Sequence, residues 1–374
     1  MSRKPIAMVD LRGGYLAQQA GIDAGVKRVL ESGWYILGKE CETFEYDFAR
    51  WCGVNHAVGV GNGTDAIIVA LKALGLGEGD AVFTVSHTAV ATVAAVELAG
   101  ATPVLVDIDP ETFTLDPEKL EDAIVTCTAG RPRAVIAVHL YGQPCDLTAI
   151  AAICKRHGLF LVEDCAQAHG AMLDETRVGG FGDIATYSFY PTKNLGAFGD
   201  GGAVTTNDRA LAERAGALRQ YGWKERYISD LRGMNTRLDE IQAAMLCVRL
   251  TMLEAEIERR RAIAARYDAA LSPFIQTPKV RTGALHAYHL YVLRHPRRDA
   301  LAAALKAAAI HTGVHYPVPV HLQKAYEGRI ALSPSGLGET ERASREVLSL
   351  PMHPFLSDDD ADRVSAEVRR WTQT

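Results

Sequence analysis

The sequence predicts an α/β protein: a mainly parallel central sheet covered by helices, followed by a smaller C-terminal α+β domain. From about residue 57 to residue 206, short apolar runs alternate with helix-like segments, the spacing of β-α units in a parallel sheet. Several of these runs are continuous and β-branched, as strands covered on both faces should be. Beyond Ser272-Pro273 the alternation gives way to scattered strands and helices. We therefore expect a large domain over residues 1–250, with residues 1–30 free to pack with the smaller one, and a small domain over residues 251–374. A chain of 374 residues, 48% hydrophobic and 23% charged, can bury such a core and is not a disordered, collagen-like or disulfide-framework chain.

In chain order, the expected strands are Ala57 to Val60, Ala81 to Val85, Pro103 to Ile108, Ala134 to Leu140, Leu159 to Val162, Ile184 to Phe189 and Ala203 to Thr206. The helices between them carry start signals. Asp116 before Pro117, Asp146 before the Ile150/Ile153/Cys154 face and Asp208 before Leu211 can each accept orphan helical amides. A long helical pattern from about Thr236 to Leu271 follows, opened by a Thr236-x-x-Asp239 capping box, and is expected to bridge the two domains. In the last part, Tyr288 to Leu293 reads as a strand, and Arg298 to Ala309 and Glu339 to Leu348 read as helices.

The net charge of −5 leaves no global positive field to recruit nucleic acid or an anionic membrane. No apolar run approaches the roughly 18 residues of a membrane span, and Met1 to Leu16 lacks the apolar stretch of a signal peptide, so a cytoplasmic protein is expected. The seven cysteines are scattered, without a Cys-x-x-Cys pair, which suggests reduced thiols. His286 with His289 and His311 with His315 have helix-compatible separations, but no carboxylate or cysteine cluster completes a metal site.

The chemistry lies in three strand-end segments. Ala57 to Ala66 runs from a strand through Gly59, Gly61 and Gly63 into a helix, so backbone amides and the Thr64 hydroxyl could hold a phosphate. A dinucleotide loop is the wrong reading, because G-x-G-x-x-G is not met and Asp80 precedes the next apolar run. Leu159 to Gly170 is an apolar strand whose C-terminal end delivers Glu163-Asp164; standing alone, it would read as a salt bridge. Ile184 to Gly196 leaves another strand into a loop with a single lysine, Lys193, and Gly199-Asp200-Gly201-Gly202 follows. Pyridoxal 5'-phosphate needs this inventory: an amine for its aldehyde, a carboxylate for its ring nitrogen, amides and hydroxyls for its phosphate.

At these motifs the chain resembles the DegT-type sugar aminotransferases, pyridoxal phosphate enzymes of fold type I, the aspartate-aminotransferase-like group. The resemblance runs from Gly33-Trp34-Tyr35-Ile36-Leu37-Gly38 through Gly61 to Ala66, Val162 to Gly170 and Ser188 to Gly202, into Asn235 to Ala244 and His315-Tyr316-Pro317. It implies that Lys193 forms the Schiff base, Asp164 pairs with the pyridinium and Gln167 lies beside the ring. Ser188, Gly63 and Thr64 would hold the phosphate. Asn235 resembles the family asparagine that reaches the phosphate from the neighbouring subunit, implying a homodimer with shared active sites. His315, Tyr316 and Tyr35 resemble sugar-side residues. Where the family often has a bulky aromatic, this chain has Ala89, and His87 is the expected flat surface beside the cofactor. Lys193 also separates the chain from relatives that carry histidine there and dehydrate, which favours transamination.

The resemblance further implies L-glutamate as amino donor and a keto sugar on a nucleotide diphosphate, dTDP, as acceptor, with amination at C-3. Other readings stay open at this point: C-4 sugar or cyclitol amination, another pyridoxal phosphate reaction such as elimination, or a non-catalytic regulatory protein on the same fold.

Overall fold

The computed structural model describes residues 4–373. An eight-stranded sheet runs in the order His56–Val60, Gly202–Thr206, Ile184–Ser188, Phe160–Asp164, Arg131–Val138, Asp80–Val85, Thr102–Val106, Ala331–Leu332. Neighbours are parallel except at Gly202–Thr206, which runs antiparallel to both strands beside it. All the strands expected from residues 57 to 206 are present. Leu140 and Phe189 fall beyond their strand ends, Leu140 opening the 3-10 turn Leu140–Gly142. The edge strand Ala331–Leu332 was not expected: it returns from the C-terminal part of the chain to pair with Val104 and Leu105. Asp80–Val85 is buried along its whole length, which is why its sequence is apolar without alternation.

Register decides where the chemistry emerges. Asp164 closes its strand opposite Val138 on one side and Thr186 on the other, so its carboxylate lies at the C-terminal edge of the sheet, where open α/β sheets bind ligands. The helices start as expected: Asp116 accepts from the amides of Glu118 and Lys119, Asp146 from Ala149, and Asp208 from Ala210 and Leu211. Each cap is worth about 1 kcal/mol.

The long helix is a correction. It is broken into Glu240–Leu250 and Leu253–Leu271, and Thr236 caps neither. The Thr236 hydroxyl accepts from the Gly61 amide at 2.8 Å and donates to Asp65 at 2.7 Å. Glu240 instead serves a distant helix. Its carboxylate accepts the amides of Gly38, Glu40 and Cys41 at 2.7, 3.0 and 2.9 Å, capping Lys39–Cys52, whose own N-cap residue is glycine.

A second apolar cluster, including Tyr267, Tyr291, Leu301, Leu348 and Val364, is built from the antiparallel pair Tyr291–Arg294 and Val347–Leu350 with the helices Leu253–Leu271, Arg298–Ala307 and Asp358–Thr372. Ile6 belongs to this cluster and bridges to Ile310, while the helix Leu11–Ser32 lies along Glu240–Leu250. Residues 1–3 lie outside the described residues. Ala343 and Val347 join the larger core, so the C-terminal part of the chain feeds both. Among the described residues no helix is long and apolar enough to cross a membrane.

Candidate active site

A cavity of about 510 Å³ opens at the C-terminal ends of the strands, and Gly63, Thr64, Asp164, Gln167, Ser188 and Lys193 line it together. At one end is the N-terminus of the helix Gly63–Ala73, where the Asn62 side chain accepts from the Asp65 amide at 2.8 Å. Gly63 has to be glycine: a Cβ there would lie 2.6 Å from the Ser188 Cβ. A glycine turn, unpaired helical amides and the hydroxyls of Thr64 and Ser188 thus converge where an anion fits.

Asp164 is 5% exposed. Its Oδ2 accepts from the Thr92 hydroxyl at 2.9 Å and its Oδ1 from the Ala166 amide at 3.1 Å. Thr92 is in turn 3.1 Å from the Thr88 hydroxyl. These donors fix the plane of the carboxylate. Lys193 sits in a tight turn after Ile184–Ser188, its amide donating to the Tyr190 carbonyl at 2.8 Å. Burial pushes its amine down to about 8, partly opposed by the Asp164 charge. An amine so poised exchanges protons near neutral pH.

Gln167 joins the cavity to a polar network behind it. Its Oε1 accepts from the Tyr141 amide at 2.7 Å and its Nε2 donates to the Tyr316 hydroxyl at 3.0 Å. Burial, chiefly, pushes the Tyr316 hydroxyl up to about 12, so it stays a neutral donor and acceptor. The His315 ring faces Ser349 through Nδ1 at 2.8 Å, and burial together with the Lys193 charge pushes it down to about 4, leaving it neutral.

His87 does not line the cavity, which corrects the expectation of a flat surface for the cofactor. It is fully buried, its ring set edge-on to Tyr141 and its Nε2 2.8 Å from the Tyr141 hydroxyl. That hydroxyl donates to the His315 carbonyl, so the proton between the two rings belongs to His87. Thr88 and Ala89 form that stretch of wall instead. Tyr35 and Asn235 are exposed and lie outside the cavity of their own chain.

Thr92 and Tyr141 were missed by sequence reasoning. Thr92 lies one turn beyond Thr88 in a segment read only for its aromatic content, while Tyr141 reaches the site through partners distant in sequence. A further cluster, His139, Glu163 and Cys165, lies within metal-binding reach. Glu163, however, already accepts from the amides of Gly179, Phe181 and Gly182 and from His139 Nε2, while His139 Nδ1 accepts from the Cys145 amide. Those lone pairs are committed to holding a turn.

A lysine and a strand-end carboxylate sharing one cavity with an anion cradle are what a pyridoxal phosphate transferase of fold type I is built around, and the helix N-terminus at Gly63 with the Thr64 and Ser188 hydroxyls has the donors a phosphate requires. The chain belongs to the DegT/DnrJ/EryC1/StrS aminotransferase family, whose model matches residues 17–369. It is an aminotransferase with pyridoxal 5'-phosphate as its cofactor. It is 46% identical to the dTDP-3-amino-3,4,6-trideoxy-alpha-D-glucose transaminase of Streptomyces venezuelae, over 98% of this chain and 96% of the relative. It is 45% identical to the dTDP-3-amino-3,6-dideoxy-alpha-D-galactopyranose transaminase of Aneurinibacillus thermoaerophilus, over 98% and 99% of the two chains. The crystal structure of S. venezuelae DesV in complex with a ketimine intermediate superposes with a TM-score of 0.96, covering 100% of both chains at 46% identity.

Proposed function

We propose that the protein moves the amino group of L-glutamate to the C-3 keto group of a dTDP-linked deoxysugar, in amino-sugar biosynthesis. The observation that carries the reading is the Lys193 amine, poised near neutrality in the same cavity as Asp164; the names of the relatives point to the sugar and to its third carbon. Bound in the cavity, pyridoxal phosphate supplies an aldehyde that carries the amino group and a ring that accepts negative charge. Gly63, Thr64 and Ser188 would hold its phosphate. Asp164, locked by Thr92 and the Ala166 amide, would be the carboxylate that pairs with the ring nitrogen. The Lys193 amine would hold the aldehyde and, when free, is placed to carry a proton within the cavity. Gln167 would lie beside the ring and, through Tyr316, ties that wall of the cavity to the loop on which we place the sugar.

Asn235 and Tyr35 are exposed beside Trp34, Ile36 and Tyr221, whose large apolar side chains are also exposed. This supports a homodimer in which each subunit lends Asn235 to its partner's phosphate site and Tyr35 to its partner's sugar. The test is to incubate the holoenzyme with glutamate and a panel of 3-keto and 4-keto dTDP sugars, then weigh the products. We expect 2-oxoglutarate and a 3-amino sugar in equal amounts; amination confined to 4-keto sugars, or no 2-oxoglutarate, would overturn the assignment.

A further inference from the structure

Gly63 lines the cofactor cavity, but Gly59 and Gly61 of the same motif do not. They are glycines for another reason. A Cβ on Gly59 would lie 2.9 Å from the Leu238 Cβ, and one on Gly61 would lie 3.0 Å from the Thr236 hydroxyl oxygen. Residues 236–238 therefore pack directly against the strand that leads to the phosphate turn.

The contact is polar as well as close. Thr236, 2% exposed, spans the turn: its hydroxyl accepts from the Gly61 amide on one side and donates to Asp65 Oδ2 on the other. Asp65 is the third residue of the helix Gly63–Ala73 and lines the cavity beside Thr64. An acid at that position can fold back onto the amide that opens its helix, next to where a phosphate would bind. Thr236 engages one of its oxygens elsewhere. The segment is also fixed from behind. The Thr236 amide donates to the Arg219 carbonyl at 3.0 Å, and the Arg219 guanidinium donates to the Gly59 carbonyl at 2.8 Å and pairs with Glu45, which accepts the Gly59 amide at 2.7 Å. Asn235 stands on this framed unit, its backbone bridged to Gln220 and its residue exposed.

We propose that Thr236 is a positioning residue that couples the two cofactor sites of the dimer. Its hydroxyl shapes the phosphate turn of its own chain, and the backbone it holds sets where Asn235 enters the partner's site. The coupling rests on the shared-site reading given above. A turn held in its binding shape need not be ordered when the phosphate arrives, so loss of the hydroxyl weakens the cofactor in both sites.

Mixed dimers, purified through a different affinity tag on each chain, separate the two effects. One chain keeps Lys193 and reports; the other carries Lys193→Ala. Borohydride then fixes the cofactor only to the reporting chain, and mass spectrometry reads the extent as pyridoxal phosphate is titrated. Thr236→Val in the reporting chain should weaken its cofactor by about tenfold, the scale of one hydrogen bond to a charged group. Thr236→Val in the silent chain should weaken the same site by about threefold or more, because Asn235 arrives misplaced. Thr236→Ser, which keeps the hydroxyl, should restore most of the affinity in either chain. No effect from the silent chain, or none from the reporting chain, would overturn the proposal. Asn235→Ala in the silent chain tests the shared-site reading: if it leaves the reporting site unchanged, that reading fails. An effect of Asn235→Ala without one of Thr236→Val defeats the coupling alone. Because Thr236 is buried, a second measurement uses wild-type chains. Pyridoxal phosphate should slow hydrogen exchange in residues 57–66 and in residues 232–238 over the same concentration range. Slowing confined to residues 57–66 counts against the coupling.

Discussion

Burial around Lys193 makes its amine hard to protonate, and this has a sign that stability measurements can read. In the folded, cofactor-free chain the amine sits at about 8, against roughly 10.4 for an unfolded lysine. Below pH 8 both states carry the proton, and the folded one does so at a cost. Between about pH 8 and pH 10.4 only the unfolded chain holds it, so folding gains stability as pH rises through that window. We therefore expect cofactor-free Lys193→Met to resist urea better than wild type at pH 7, with the advantage shrinking toward pH 10. A gap that stays constant with pH would show that burial of the charge is not its cause. Thr92 offers a second test at this scale. Thr92→Val removes the hydroxyl on Asp164 Oδ2 and should slow both half-reactions by about tenfold, the worth of one hydrogen bond to a charged group. Thr92→Ser should recover most of the loss. Stopped-flow traces of each half-reaction decide it, and a valine variant with wild-type rates would show that Asp164 needs no orienting hydroxyl.

Glu163 does for an element what Thr92 does for a side chain. It is fully buried, and its carboxylate collects the Gly179, Phe181 and Gly182 amides, fastening the turn that precedes the strand Ile184–Ser188. Glu163→Ala leaves those donors without partners and should cost about 3 kcal/mol or more in denaturant unfolding. Glu163→Gln, keeping one acceptor oxygen, should cost less. A neutral alanine variant would mean that water replaces the carboxylate. At this scale much was legible in advance. The strands between residues 57 and 206 read cleanly because double coverage turns them into unbroken apolar runs, and the aspartate caps act on amides two or three residues away. What escaped was non-local. Ala331–Leu332 is too short to carry a pattern, and Thr236 looks like a cap but spends its hydroxyl on Gly61 and Asp65. The site divides the same way: Gly63, Thr64, Asp164, Gln167, Ser188 and Lys193 lie in local strand-to-loop motifs, and the structure gathers them in one cavity. His87 misled because a strand-end position does not say which way a ring turns; here it turns inward to Tyr141.

For the whole molecule, the open question is whether one chain can complete its own site. Asn235 is exposed and lies outside its own chain's cavity, yet it resembles a residue that touches the phosphate in this family. In a twofold dimer that lends Asn235 across the interface, each site takes Lys193 from one subunit and Asn235 from the other. Suppose Lys193→Ala and Asn235→Ala chains, each nearly inactive alone, are unfolded together and refolded in equal amounts. In every mixed dimer one site collects both defects, and the other is fully wild type. Since random pairing makes half of the dimers mixed, roughly a quarter of wild-type activity should return. If Asn235 served its own chain, no site in any mixed dimer would be intact, and activity would never exceed that of the Asn235→Ala enzyme. The same samples run on a sizing column tell a failure to form dimers from a failure to share residues. A monomeric enzyme with full activity would end the shared-site proposal outright.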